Sequence, residues 1–159
     1  MPELSADAVD AYVFRRLHGR VQFLLLQRRS GAQLGGTWQG FHTTIEVGER
    51  TVEAAKRVMR ATTGLVPDQA FSADFINQYY DHSTDKVILS PVLAFTVPPT
   101  SPITLSDEYV ESAWLDRDEA TRRMAFAGQR WAIRHIEEVI GLGGAEAELY
   151  RIDPSDSTK

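Results

Sequence analysis

An α/β fold, a mixed β-sheet flanked by helices, is predicted by three features of this sequence. Short runs rich in Val, Leu, Phe and Tyr alternate with stretches whose apolar residues recur at helical spacing. Gly and Pro punctuate the boundaries between them. The 159 residues suffice for one core of ordinary domain size, with residues 1–142 read as a single domain and 143–159 as a polar, flexible tail.

Residues 9–14 and 21–27 read as a β-hairpin, because Leu17-His18-Gly19-Arg20 between them carries turn chemistry. Gly31, Gly35 and Gly36 keep 30–37 irregular, and 38–46 reads as a short strand. From Thr51 the period changes. Val52, Ala55 and Met59 share a face, Thr51 is a capping residue type and Gly64 a stop, which predicts a helix over 51–63. Residues 71–80 and 86–97 read as strands, with Pro91 marking an edge or a bulge. Three prolines make 98–102 a loop. A short strand at 111–115 and a helix at 116–124 follow. The helix at 129–140 is better patterned, with Trp131, Ile136, Val139 and Ile140 turned to the core and Gly141 as its stop.

Lys plus Arg number 17 against 22 Asp plus Glu, a formal net charge of −5, which disfavours a broad surface for nucleic-acid phosphates. The absence of cysteine excludes disulfides, thiolate metal sites and thiol nucleophiles, leaving His and carboxylates as metal-ligand candidates. The first residues lack the basic and apolar regions of a signal peptide, and no apolar run nears the ~20 residues of a membrane-spanning helix. A cytoplasmic protein without membrane or nucleic-acid partners is expected.

The chemical signal lies in residues 48–65. Glu49, Arg57 eight residues on, the apolar Met59 and the closing Gly64-Leu65 stand at the spacing of the Nudix box, and Trp38-Gln39 and Glu46-Val47-Gly48-Glu49 fit the same pattern. The sequence thus resembles the Nudix (MutT-like) hydrolases, most closely their dihydroneopterin-triphosphate and dATP pyrophosphohydrolase branch. The likeness runs over most of residues 8–140: residues 24–29 are similar to the family's second strand, while Asp107-Glu108, Trp114-Leu115-Asp116 and residues 129–133 resemble its late loop, strand and last helix. It implies a Nudix α/β/α sandwich and cleavage of nucleoside triphosphates or similar small diphosphates. It also implies Mg2+ or Mn2+ as cofactor and a homodimer as an available assembly.

The same resemblance implies metal-binding glutamates at positions 58, 61 and 62. Val58, Ala61 and Thr62 stand there instead. Spacings of three and four place them on one helical face, and a hard cation that seeks carboxylate oxygens finds none on it. Thr43 occupies the place of the family's first box glycine. Lys56, Arg57 and Arg60 outnumber Glu53 along the helix, which reads as a face inverted from acidic to basic and able to meet phosphate directly.

Carried over position by position, the catalytic candidates are Glu49, Arg57 and Glu108, and the metal candidates Glu108 and Glu49. Glu49 and Arg57 suit a charge-assisted lock between loop and helix better than a catalytic role, and Glu108 suits an ordinary exposed acid equally well. Glu53 is expected to pair with Arg57 at i, i+4. Arg28, Trp38 and Gln39 are the substrate-binding candidates, Trp38 also suiting the core or a pocket wall. His42 reads as a turn or surface residue, and His18, His82 and His135 show no ligand spacing. Two functions follow: a Nudix-like pyrophosphohydrolase of weak or lost activity, or a non-catalytic nucleotide- or anion-binding sensor or scaffold.

Overall fold

The computed structural model describes residues 1–153. Its strands are β1 (Glu3–Ser5), β2 (Ala8–Leu17), β3 (Arg20–Arg28), β4 (Trp38–Gln39), β5 (Phe41–Thr44), β6 (Gln69–Asp81), β7 (Lys86–Thr96) and β8 (Tyr109–Asp116). The helices are α1 (Thr51–Thr63), α2 (Arg117–Arg123) and α3 (Ala127–Ile136), and α3 continues into a π-helical turn over Glu137–Gly141.

These eight strands make one mixed sheet, ordered β1-β7-β2-β3-β4, with β5 on β2, β6 on β7 and β8 on β3. The long β2 organises it, running parallel to β7 and antiparallel to both β3 and β5. His18 and Gly19 link β2 to β3, both in the left-handed region at φ 50° and 74°. That two-residue geometry matches the twist of the flanking strands.

Side-chain alternation along β2 then sorts the core into two layers. Tyr12 and Phe14 join Phe23, Phe71, Ala132, Ile133 and Ile136 on the side of α2 and α3. Val9, Ala11 and Val13 join Leu24, Leu26, Phe95, Ala55 and Met59 under α1. The result is the α/β/α sandwich expected from the sequence. Among the described residues, no helix is long and apolar enough to cross a membrane.

Several elements differ from expectation for local reasons. The strand at 38–46 is split at Gly40, where a Cβ would lie 2.5 Å from the Tyr12 ring. The chain breaks there and changes partner, β4 pairing with β3 and β5 with β2. Pro91 does stand at a bulge, opposite Ile76 where the β6–β7 register shifts. Strand β1 has too few residues for a pattern to reveal, and its place is set by β7.

Trp131 faces solvent at 58% exposure, its ring beneath the Arg134 guanidinium, so the core stripe of α3 is Ala132, Ile133 and Ile136. The α3 helix starts before its expected position and gives way to the π turn after Ile136, where Arg16 donates to the carbonyls of Ile140 and Gly141 at 3.1 and 2.9 Å. The expected tail forms a 3-10 helix over Gly144–Tyr150 with Ala147 buried, and the Ile152 N–H then donates to the Ala70 carbonyl at 2.8 Å. The rest of that tail, 154–159, lies outside the described residues.

Candidate functional site

The box is a loop followed by α1, and α1 sits where it does because Val52, Ala55 and Met59 bury one stripe against the sheet. Thr51 is the first helical residue and not its cap: Arg50 holds the N-cap position, without a side-chain capping bond. At the other end Gly64 takes φ 72°, and its N–H returns to the Arg60 carbonyl at 2.9 Å. That left-handed stop is cheap only for Gly.

Glu49 and Arg57 fasten the loop to the helix. Arg57 donates from Nε and Nη2 to the two Glu49 carboxylate oxygens at 2.8 and 2.9 Å, and Nη2 also reaches the Thr44 carbonyl at 2.9 Å. The Glu46 N–H takes Glu49 Oε2 at 3.0 Å, and the Glu46 carboxylate lies 3.8 Å from Arg57. Glu53 therefore does not pair with Arg57; it binds Lys56 at 3.2 Å. Arg57 prefers Glu49 to Glu53, since a fork-to-fork contact outdoes an i, i+4 pair on a helix surface.

Chiefly because Arg57 bonds it, and then because the Glu46 N–H does, the Glu49 carboxyl is pulled down to about 2. A depressed folded-state pKa contributes stability above the unfolded value, and that contribution is lost as pH falls toward about 2. Wild type is expected to lose thermal stability across this acid range more steeply than Glu49→Gln, and parallel melting curves with pH would show that the lock carries no such weight.

The face made by Val58, Ala61 and Thr62 is partly sealed. Val58 packs against the core beneath α1 and Thr62 is 6% exposed, while Ala61 is open to solvent. The Thr62 hydroxyl donates to the Val58 carbonyl at 2.6 Å. The next turn is covered by a loop whose Thr104 and Ser106 N–H groups donate to the Thr63 and Thr62 carbonyls at 3.0 and 2.9 Å. Nor does a basic face assemble here. At about 3.6 residues per turn Lys56 points nearly opposite to Val58, and Arg57 is committed to Glu49. A cavity of about 560 Å³ opens on the side of α1 away from Val58, lined by Val52, Lys56, Gln69, Glu148 and Arg151.

Of the remaining candidates, Glu108 is exposed, its backbone carbonyl accepting the Arg29 N–H at 2.8 Å. Arg28 donates to the Tyr109 hydroxyl at 3.3 Å and lies over that ring, while its Nε and the nearby Ser106 Oγ are buried without partners. Trp38 is half-buried under the Arg123 guanidinium, 4.9 Å above its ring. Gln39 is 7% exposed and donates to the Thr37 hydroxyl at 2.8 Å, which makes it a loop fastener. Arg28 and Trp38 sit on paired strands, since Trp38 is the register partner of Gln27.

One pair escaped sequence reasoning. Asp10, 6% exposed on β2, accepts from His42 Nδ1 at 2.7 Å and from Asn77 Nδ2 at 3.1 Å. Its signal was present: an acid inside an otherwise apolar strand run.

Comparison with known proteins bears on this geometry. Residues 4–136 match the model of the NUDIX domain. The chain belongs to the Nudix family. Its Nudix fold is shared with a Caenorhabditis elegans Ap4A hydrolase (TM-score 0.69, 19% identity, covering 84% of this chain and 96% of that one). It is shared with the Escherichia coli dihydroneopterin triphosphate pyrophosphohydrolase (TM-score 0.65, 17% identity, 80% and 91% covered). It is also shared with the NUDIX domain of Shewanella oneidensis NrtR, solved with ADP ribose (TM-score 0.67, 16% identity, 87% and 88% covered). Over 119 residues the chain is 29% identical to an octanoyltransferase of Myxococcus xanthus, covering 70% of this chain but only 31% of that protein.

Nudix proteins generally use divalent metals, and the residues present here do not fit one. Both Glu49 oxygens are taken by Arg57 and the Glu46 N–H. The Thr62 hydroxyl is spent on its own helix. Among the described residues no three acidic or histidine side chains gather where they could hold an ion. Magnesium keeps one or two carboxylates beside its waters, and the Nudix helix of this chain offers none on the expected face.

Proposed function

We propose that this chain is a Nudix module that binds a small phosphorylated molecule of nucleotide type and hydrolyses it weakly or not at all. The observation that carries this reading is the state of the metal face: Val58 packed inward, and Thr62 buried and bonded to Val58. Family chemistry needs a metal there to neutralise charge developing on phosphorus. Losing even one well-placed electrostatic stabiliser costs about 10²–10³ in rate.

What persists is a scaffold. The Glu49–Arg57 lock holds the box loop in place without any metal, and Arg28 offers a buried, unpartnered Nε beside the exposed Glu108 loop. A NUDIX domain of the same fold has been solved with ADP ribose, which makes a nucleoside diphosphate the first ligand to try. Arg28 and Trp38 are the contacts we assign to it, with Gln39 holding the loop that carries Trp38.

Titration calorimetry with ADP ribose and ATP, in magnesium and in EDTA, beside a phosphate-release assay, tests the proposal. Binding that EDTA leaves unchanged, with no turnover, is the expected result. Turnover at ordinary enzymatic rates of ~1–10³ per second that EDTA abolishes would refute it and return Glu49 and Glu108 to the metal shell.

A further inference from the structure

His42 and Asp10 are register partners on β5 and β2. Beyond the 2.7 Å bond between them, Asp10 is fixed from β6 by Asn77, so the carboxylate is gripped on two sides. Strand β5 is four residues long and leads into the box, where the Thr44 carbonyl receives Arg57. We propose that the Asp10–His42 pair is a pH-sensitive latch that holds β5, and through it the box loop, against the sheet, fastened when His42 carries a proton and loosened when it does not.

The physical case begins with burial. A carboxylate so nearly removed from water depends on its donors, and a charged imidazolium adds to the hydrogen bond a coulombic attraction that the neutral ring lacks. When the ring loses its proton, Asp10 keeps the Asn77 amide and a neutral N–H, and the grip on β5 weakens. β5 pairs with β2 over four positions and is anchored at its ends by the buried Phe41 and by Arg57 on the Thr44 carbonyl, so the His42 bond governs how firmly its middle is held.

The direction of the pH effect follows. The hydrogen bond to Asp10, opposed by burial, raises the His42 pKa above its ordinary 6.5. A raised folded-state pKa means that the latch contributes fully below the unfolded value and is lost as pH climbs through the folded one. Asp10 is the charge facing the ring. The phenols of Tyr12 on β2 and Tyr79 on β6 are pushed up, first by burial and then by Asp10, and stay neutral over this range. From β6 comes the neutral Asn77, with Gly128 of α3 packed against it and Ser90 of β7 its register partner.

Hydrogen exchange of peptides spanning 41–50, corrected for intrinsic rates and measured at about pH 6 and about pH 8, tests the latch. In wild type their protection should fall about fivefold relative to α3 as pH rises. In His42→Gln it should be low at both pH values. Wild-type protection that does not change, or an equal fall in His42→Gln, would overturn the proposal. NMR titration of the His42 ring gives a second reading: Asp10→Asn should bring its midpoint back toward the ordinary imidazole value, and an unmoved midpoint counts against the latch. Should Asp10→Asn fail to fold, exchange in wild type and His42→Gln decides alone. No bound molecule enters this test, so the latch and the nucleotide-binding proposal stand or fall separately.

Discussion

Replacing Thr62 with Glu will destabilise the protein by roughly 3–5 kcal/mol, although Glu is the residue that the likeness to the Nudix box implies there. Thr62 is 6% exposed, and its hydroxyl is satisfied by the Val58 carbonyl. The backbone around it is closed by the Ser106 N–H. A carboxylate at this position loses most of its water and finds no cation, since Arg57 already serves Glu49. Urea unfolding should show the midpoint falling while the slope stays constant. Ala61→Glu, on the exposed side, should change stability by no more than about 0.5 kcal/mol. The triple replacement at 58, 61 and 62 would therefore fail to restore an enzyme unless the loop over Thr62 also moved. If Thr62→Glu is instead neutral and the triple variant binds manganese, the face is open in the folded protein and the scaffold is otherwise intact.

Phe14→Ala should cost about 3–5 kcal/mol, for a different reason. Phe14 is fully buried, its ring 6.1 Å from that of Phe71, within the layer that β2 shares with α3. Truncation leaves a void among Phe23, Ile133 and Ile136 that a close-packed sandwich cannot fill by small shifts. The loss should appear as a lower unfolding midpoint with nucleotide affinity retained in the folded fraction, because Phe14 faces away from α1. A loss below about 1 kcal/mol would mean that this layer repacks freely.

The two buried layers were legible wherever a residue's role depends on its own period. The alternation of β2 and the stripe Val52, Ala55, Met59 of α1 are properties of spacing. Trp131 was misplaced because a helical stripe about a hundred degrees wide does not say which of its margins meets the sheet. At the candidate site the Glu49–Arg57 lock was readable only through the likeness of residues 48–65 to the Nudix box. The partner of Glu53 was not, because the competition for Arg57 is settled by a loop carboxylate that arrives with better geometry.

Sequence alone determined the fold family, the box scaffold and the absence of carboxylates at 58, 61 and 62, since each is a matter of residue type at fixed spacing along one chain. Tertiary structure alone decided how the vacated face is closed, which donors Glu49 satisfies, and that Asp10 and His42 meet. Those outcomes depend on segments such as β2 and β5, or Thr62 and Ser106, that lie far apart in sequence and are brought together only when both sides of the sheet pack.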